Sequence, residues 1–250
     1  EEERTRAVRE LVARLQVHLK PERVRRLVDL GCVPANSTAV LAAAWPRAEI
    51  TGLDADAAML AAARQAHPNL RFEPGDISAW AAAAPRRYDL VFSNSALQWL
   101  DDHAHLLPRL MAQLAPGGTL AFQVPDSWDA PVCAIPRALA QSPAWQPLLD
   151  TGKIRHWHSE SLAFYHDVLA PHAARLDLWE CEYVMILPNT EAILAWYQGS
   201  GLRPFLAALP DDTSRARFQQ QYLAALRLAY PPQPNGQLLF PFRRLFVIAH

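Results

Sequence analysis

The segment Val28-Asp-Leu-Gly-Cys-Val-Pro-Ala-Asn-Ser37 joins a short apolar run to a glycine turn and to residues that can begin a helix. In doubly wound α/β folds, the turn between a strand and the next helix binds a nucleotide. Glycine lets the backbone approach the ligand, and N–H groups at the helix N-terminus donate hydrogen bonds to it. The segment therefore predicts a nucleotide-binding turn at Gly31, followed by a helix that Asn36 or Ser37 caps and that Pro46 ends.

Strand-like and helix-like segments alternate along the first half of the chain. Apolar residues at helical spacing predict helices, and short buried apolar runs predict strands. Alternation at this length indicates βαβ units and a mostly parallel sheet. The predicted strands are residues 26–30, 50–53, 70–73, 89–93 and 119–124, and the predicted helices are residues 5–19, 36–45, 54–66 and 102–115.

The pattern changes after residue 125. Residues 126–172 are rich in proline, tryptophan and histidine without a clear period, which is typical of an insertion with short helices. Because the last two predicted strands leave no room for a simple alternating crossover, we expect them to pair antiparallel at the sheet edge. These later elements are predicted strands at 176–187 and 238–249 and predicted helices at 191–198 and 213–230.

Together the segments predict an α/β fold, a Rossmann-like doubly wound sheet that is mostly parallel with an antiparallel edge strand. A helical cap is inserted among the C-terminal strands. The predicted organisation is a cofactor-binding core over residues 1–125, a cap over 126–236 that includes one core strand at about 176–187, and a final core strand over 237–250.

Composition excludes several classes of protein. The 250 residues are 51% hydrophobic and 20% charged, which excludes a disordered chain and a fibrous repeat. A net charge of −1 argues against nucleic acid as a partner. The three cysteines lie far apart, which indicates neither a disulfide framework nor a zinc knuckle. Since no apolar run approaches about 18 residues and no signal peptide is visible, we expect a cytoplasmic protein without membrane contact.

Polar residues follow four of the predicted strands. Asp54 lies about 20 residues after Gly31, the spacing at which an acidic residue binds the ribose of a nucleotide. The segment Gly75-Asp-Ile77 follows the third strand, and Ser93-Asn-Ser95 closes the fourth. An aspartate after a strand is by itself more often a helix cap. Because the carboxyl ends of parallel strands meet at one edge of the sheet, the four signals together predict one ligand-binding crevice.

The order of these motifs resembles the class I S-adenosylmethionine-dependent methyltransferases. The resembling motifs are Asp-Leu-Gly-Cys at 29–32, Gly-Leu-Asp at 52–54, Gly-Asp-Ile at 75–77, Asn-Ser-Ala-Leu-Gln-Trp at 94–99 and Leu-Ala-Pro-Gly-Gly at 114–118. Longer stretches at 94–103, 110–126, 196–206 and 240–249 are similar to the trans-aconitate 2-methyltransferases, and this similarity covers nearly the whole chain. Members of that family methylate a carboxylate of trans-aconitate, a small tricarboxylic acid, and form a methyl ester.

The resemblance implies S-adenosylmethionine as the cofactor. Gly31 would face its methionine moiety, Asp54 would bind the ribose, and Asn94 would lie near the methyl group. Asp76 and Ile77 would border the adenine. The complete expected cofactor-binding set is Asp29, Gly31, Asn36, Asp54, Asp76, Ile77 and Asn94.

Two positions depart from the family pattern, which usually reads Gly-Cys-Gly-Pro-Gly-Asn-Ser in the first turn. Val33 and Ala35 replace the second and third glycines. A valine disfavours positive φ and places a branched side chain where the cofactor should lie. Several alternatives therefore stay open: a rearranged loop, reduced cofactor affinity, or a relative that acts as a ligand-binding protein. A methyltransferase with another small acid or a natural product as acceptor is a further alternative.

The implied reaction needs no catalytic general base, because a carboxylate acceptor with a pKa near ~4 is already ionised at pH 7. The site must supply alignment, a dry cavity and cations for the remaining carboxylates. Arg203 is the first candidate, followed by Arg243 and Arg244. Neighbours on a strand point to opposite faces, so at most one of this pair faces a pocket. Gln98 and Trp99 are expected beside the crevice, which completes the substrate-binding candidates.

Other histidines and tryptophans carry weaker signals. His156-Trp-His158 has no carboxylate or cysteine at ligand spacing, so we expect no metal site there and consider a role lining the acid-binding cap. His103 and His105 are expected at a solvated helix start. The tryptophans at 128, 145, 157 and 179 are expected to pack within the cap.

Overall fold

A computed structural model describes the backbone of residues 2–250 and the side chains of residues 5–250. These residues form two compact units. The first unit contains residues 2–124, 160–181 and 245–250, and the second contains residues 125–159 and 182–244. Within the described part of the chain, no helix combines the length and the apolar character that crossing a membrane requires.

The strands, in chain order, are β1 (Arg26–Leu30), β2 (Glu49–Asp54), β3 (Arg71–Pro74), β4 (Tyr88–Asn94), β5 (Leu114–Pro125), β6 (Leu176–Leu187) and β7 (Leu238–Ala249). They form a seven-stranded sheet, counted over residues 2–250, with the order β3-β2-β1-β4-β5-β7-β6. The sheet is mostly parallel with an antiparallel edge, as the sequence predicts. The strand order reverses beside β1, which in open α/β sheets is the place where ligands bind.

The helices, in chain order, are α1 (Glu2–Gln16), α2 (Asn36–Ala44), α3 (Ala57–Ala66), α4 (Ile77–Ala82), α5 (His103–Ala112), α6 (Pro131–Gln141), α7 (Leu162–Leu169), α8 (Thr190–Gln198), α9 (Arg203–Ala207) and α10 (Asp212–Ala229). Helices α6, α8, α9 and α10 belong to the second unit, and the others belong to the first.

The central strand of the first unit, β1, is covered on both faces. Leu27, Val28 and Leu30 are fully buried. Val28 lies opposite Thr51 of β2 and Val91 of β4, in parallel register on both sides. Strands buried in this way are apolar at nearly every position, which explains why a continuous apolar run, without alternation, marks β1 in the sequence.

Aspartate side chains begin two of the helices that follow the strands. Asp56 Oδ1 accepts the backbone N–H of Met59 at 3.0 Å and caps α3. Asp76 Oδ1 accepts the backbone N–H of Ala79 at 2.9 Å and caps α4. Each cap satisfies a helix N–H group that has no partner within the helix.

The predicted cap of α2 is wrong. Neither Asn36 nor Ser37 caps this helix; it begins after Ala35, which has the left-handed conformation with φ of 78° and offers no side-chain cap. The Ser37 hydroxyl instead donates to the buried carboxylate of Asp29 at 2.7 Å. A short hydroxyl side chain cannot serve both partners, and the buried carboxylate is the stronger acceptor.

The second unit is built around α10, which packs against α6 and α8. The buried indole of Trp145 meets the ring of Phe218 edge to face, with 5.1 Å between the ring centroids. Tyr222 of α10 donates its hydroxyl to the carbonyl of Val132 in α6 at 2.8 Å. This unit thus has its own aromatic core, which includes the predicted packing residue Trp145.

Candidate functional site

The carboxyl ends of β1, β2 and β4 meet at one edge of the sheet. The backbone N–H of Gly31, just after β1, donates to the carbonyl of Leu53 in β2 at 2.8 Å. Ser93 of β4 donates its hydroxyl to the carbonyl of Leu30 at 3.0 Å. These bonds bring the residues that follow the three strands together, among them Asp54 and Asn94.

Gly31 is a close-packed position. Its φ is 71°, a conformation that residues with a side chain rarely adopt. A Cβ built on Gly31 would lie 2.1 Å from Cβ of Ala96 and 3.8 Å from Cδ1 of Ile77. Only glycine fits here, so the backbone of the first turn stays uncovered by any side chain of residue 31. Ile77, expected beside the adenine, is itself buried near this position.

Asp29 of β1 is fully buried. Its Oδ2 accepts the hydroxyls of Ser37 at 2.7 Å and Thr38 at 2.6 Å, both in the first turn of α2. Its Oδ1 is buried and has no hydrogen-bond partner among the described residues. Burial raises the pKa of Asp29 to about 6; the two hydroxyls oppose this effect, and the nearby charge of Asp54 adds to it. Asp29 therefore offers one open acceptor to a donor group.

Asp54 ends β2 with a half-buried carboxylate. Its Oδ1 accepts the backbone N–H of Asp56 at 2.9 Å, and its Oδ2 accepts the backbone N–H of Val33 at 3.4 Å. These bonds hold the carboxylate against the first turn, where the sequence places a ribose-binding acid. Asp76, by contrast, is exposed and caps α4, which is the commoner role of an aspartate after a strand.

A polar cluster follows β4. The side-chain amide of Gln123, fully buried in β5, donates to Oδ1 of Asn94 at 2.6 Å and to Oγ of Ser95 at 2.5 Å. Gln98 donates to the carbonyl of Ser95 at 2.7 Å, and its buried Oε1 has no partner within the described part of the chain. Trp99 is half-buried beside it. Sequence reasoning missed Gln123, although a lone glutamine in an apolar strand is a usable signal.

The first turn accommodates both departures from the glycine pattern. Val33 does not have a positive φ, so the expected backbone strain at this residue is absent. Its side chain packs against a small buried cluster that contains Cys32, Leu60 and Phe72. Ala35 belongs to the same cluster and keeps the left-handed conformation that the family's glycine would supply. Asn36 lies next to it, half-buried at the start of α2.

His103 differs from the expectation of a solvated helix start. It is buried at the start of α5; its Nε2 lies 2.9 Å from the carbonyl of Leu97, and its Nδ1 lies 3.3 Å from the hydroxyl of Tyr165. The prediction was wrong because α7 covers this ring, a contact that local sequence does not show. His105 is exposed and pairs with Asp102, as expected of a helix start.

The arginine candidates lie in the second unit. Arg203 begins α9 and is exposed. Arg243 pairs with Asp126, with 2.9 Å between Nε and Oδ2, and Asp126 also accepts the hydroxyl of Ser159. Arg244 is half-buried 5.0 Å above the ring of Phe242, and burial lowers its pKa to about 10.

The structure therefore brings together Asp29, Gly31, Asn36, Asp54, Ile77, Asn94, Gln98 and Trp99 within the first unit, and it places Arg203 and Arg243 in the second. Among residues 5–250, no group of three or more His, Cys, Asp or Glu side chains is arranged to hold a metal ion.

Known proteins resemble this chain at two levels. The family model described as a methyltransferase domain matches residues 27–118. Among solved structures, the YcgJ protein of Bacillus subtilis has a TM-score of 0.60 at 15% identity and covers 96% of this chain and 97% of its own. Phosphoethanolamine N-methyltransferase 2 of Haemonchus contortus has a TM-score of 0.55 at 15% identity and covers 96% of this chain and 52% of its own. At such identities the structures show the fold alone.

Relatives of much higher identity extend over the full chain. Trans-aconitate 2-methyltransferase of Azoarcus sp. (strain BH72) is 44% identical over 249 residues, 99% of this chain and 94% of its own. The protein of that name from Yersinia pestis (strain Pestoides F) is 41% identical over 250 residues, 100% of this chain and 94% of its own. The similarity includes the second unit as well as the sheet. This chain belongs to the trans-aconitate 2-methyltransferase family.

Proposed function

We propose that the protein transfers the methyl group of S-adenosylmethionine to one carboxylate of trans-aconitate in the cytoplasm and forms a methyl ester. Full-length relatives at 41–44% identity support this substrate. The observation that carries the proposal is the meeting of Gly31, Asp54 and Asn94 at one edge of the sheet, beside the point where strand order reverses.

The residues of the first unit fit this cofactor. Asp54 offers carboxylate oxygens to ribose hydroxyls, and the open Oδ1 of Asp29 accepts a hydrogen bond from an ammonium group. Gly31 leaves the backbone bare where a larger residue would fill the cradle. Ile77 offers an apolar surface to the adenine, with Asp76 next to it at the exposed start of α4, and Asn36 presents the N-terminus of α2.

When bound, S-adenosylmethionine supplies an electrophilic methyl group on a sulfonium. The chain's own residues align the acceptor, and none needs to remove a proton from an ionised carboxylate. Because Gln123 donates to Oδ1 of Asn94, Asn94 presents its NH₂ group as a donor for an acceptor oxygen. Gln98 and Trp99 follow in the same turn and are the proposed neighbours of the acceptor. They would hold its reacting oxygen in line with the methyl group.

The second unit supplies the proposed cations for the carboxylates that do not react. Arg203 offers an exposed guanidinium at the start of α9. Arg243 keeps its ion pair with Asp126, so we propose that its contribution to binding is smaller than that of Arg203.

Calorimetric titration with S-adenosylhomocysteine, followed by incubation with S-adenosylmethionine and trans-aconitate, tests the proposal. We expect saturable binding of one equivalent of S-adenosylhomocysteine and a product heavier than trans-aconitate by one methylene group, which alkaline hydrolysis of the ester reverses. Lack of binding at millimolar ligand would contradict the methyltransferase function. Binding together with methylation of another small acid, but not trans-aconitate, would keep the reaction and change the substrate.

A further inference from the structure

The guanidinium of Arg137, in α6, is held rigidly in the second unit. It stacks on the indole of Trp128, with 3.7 Å between Cζ and the ring centroid. Its Nη1 donates to the carbonyl of Trp128 at 2.8 Å and to the carbonyl of Cys133 at 3.0 Å. Both protons of Nη1 are thereby used, and the plane of the group is fixed by the ring beneath it.

The opposite edge of Arg137 stays open. Its Nε and Nη2 donate no hydrogen bond to the residues that the structure describes. The nearest carboxylate, on Asp129, lies 4.0 Å from Nη2 and is 97% exposed. The Nε–Nη2 edge is the one that forms two parallel hydrogen bonds with a carboxylate. Arg137 therefore presents a prealigned pair of donors.

The surroundings favour an anion at this edge. The Arg137 side chain is only 18% exposed, so water screens its charge less than it screens an exposed arginine. The half-buried indole of Trp128 meets the buried indole of Trp157 edge to face, with 5.4 Å between centroids. The ring of His156 also meets Trp128, at 6.0 Å. Trp128 therefore forms a platform for the cation beyond the packing role that the sequence predicts.

We infer that Arg137 binds one of the acceptor's non-reacting carboxylates through Nε and Nη2 and thereby selects polycarboxylates. This inference rests on the proposed function, because it concerns the acceptor of that reaction. A purely structural role is the competing explanation, since the two carbonyl contacts already tie residues 128–133 together. The carbonyl contacts use Nη1 alone, however, and leave the bidentate edge unused.

Substitution of Arg137 by lysine and by glutamine separates these roles. Lysine keeps the charge without the planar pair of donors, and glutamine removes the charge. We expect KM for trans-aconitate to rise by about tenfold or more in both variants, in line with the loss of a charge-assisted bidentate pair. Affinity for S-adenosylhomocysteine should stay at the wild-type value. The control is Arg217→Lys, since Arg217 also stacks on a tryptophan of the second unit, Trp145, at 5.1 Å.

Substrate analogues then identify the contact. Each of three dicarboxylates, glutaconate, itaconate and mesaconate, lacks a different carboxylate of trans-aconitate, and each is measured by its inhibition constant. The Arg137→Gln change should weaken two of them and leave the third unchanged, because that one lacks the carboxylate bound by Arg137. Equal weakening of all three, or of none, overturns the inference. Wild-type turnover of trans-aconitate tests the proposed function separately.

A second variant keeps the inference falsifiable if the Arg137 variants do not fold. Asp129→Asn removes an exposed negative charge beside the open edge without disturbing buried contacts. It should lower KM for trans-aconitate by about two- to threefold, the effect of one exposed charge. An unchanged or increased KM in this variant contradicts an anion site at Arg137.

Discussion

Ala96 occupies the space that a side chain on Gly31 would need, since a Cβ at residue 31 would lie 2.1 Å from the Ala96 methyl group. Both residues belong to the turns that follow parallel strands, β1 and β4. The contact locks the first turn against the turn that carries Gln98 and Trp99. The two parts of the candidate site in the first unit therefore depend on each other for their positions.

Gly31→Ala should abolish detectable binding of S-adenosylhomocysteine and lower the free energy of unfolding by about 3 kcal/mol or more, because overpacking adds to left-handed strain. Gly236→Ala is the matched control. Gly236 has φ of 81°, but a Cβ added to it would meet no described atom within 4 Å, so only the strain of about 1–2 kcal/mol applies. Denaturant unfolding and calorimetry measure both quantities. Partial recovery of stability in the double variant Gly31→Ala/Ala96→Gly is expected, and its absence would contradict the overlap.

Asp54→Asn should weaken S-adenosylhomocysteine binding by about tenfold or more, because a neutral amide accepts hydrogen bonds from ribose hydroxyls less strongly than a carboxylate does. Asp56→Asn is the control, since asparagine caps α3 as well as aspartate does. Calorimetry on both variants at equal ionic strength decides the matter. Equal affinities in the two variants would remove Asp54 from the cofactor site.

Stability should depend on pH through Asp29. Its pKa is about 6 in the folded protein against 3.8 for the unperturbed side chain, so the folded state binds more protons between these values. The contribution of Asp29 to the free energy of unfolding therefore falls as the pH rises from 4 to 6, by an amount on the order of 3 kcal/mol. Asp29→Asn should remove this decline. Urea unfolding from pH 4 to 7 measures it, and parallel curves for the two proteins would disprove it.

Ala35→Gly should leave S-adenosylhomocysteine affinity within about twofold of wild type, because Ala35 already has the left-handed backbone that the motif requires. Stability should change by less than about 1 kcal/mol, since relief of strain offsets the loss of a buried methyl group. The double variant Val33→Gly/Ala35→Gly should behave alike in binding. A large gain in affinity would instead show that the two replacements weaken the cofactor site.

Arg203→Ala should raise KM for trans-aconitate by about three- to tenfold while affinity for S-adenosylhomocysteine is unchanged, as expected from loss of a charged hydrogen bond at an exposed position. Arg217→Ala, which removes another exposed arginine of the second unit, should leave KM unaffected. Initial-rate kinetics at saturating cofactor provides the comparison. An unchanged KM in Arg203→Ala would exclude this residue from substrate binding.

Strands were predictable where their pattern is local. The predicted strands 176–187 and 238–249 agree with β6 and β7 at both ends. The predicted helix 102–115 extends too far, because α5 ends at Ala112 and β5 begins at Leu114, in a segment whose proline and glycines hide the strand. Sequence patterns are weakest at such boundaries, where pairing with a neighbouring strand decides the outcome.

The site residues were predictable where a strand end or a family motif marked them, as at Gly31, Asp54 and Asn94. Residues that act through tertiary contacts were not. Gln123 reaches Asn94 across two paired strands, and the burial of His103 requires α7 to cover its ring. The stacking of Arg137 on Trp128 likewise depends on how α6 folds back onto the chain before it.

The hydroxyls of Ser37 and Thr38 tether the start of α2 to Asp29 in β1, on the far side of the variable turn. Both ends of residues 31–36 are thus secured by contacts outside the turn itself. A loop fixed at its two ends can exchange side chains between them without displacing either end. Glycine content in this motif is therefore a poor measure of whether a relative keeps its ligand, and the aspartate–hydroxyl tether is a better feature to compare among relatives.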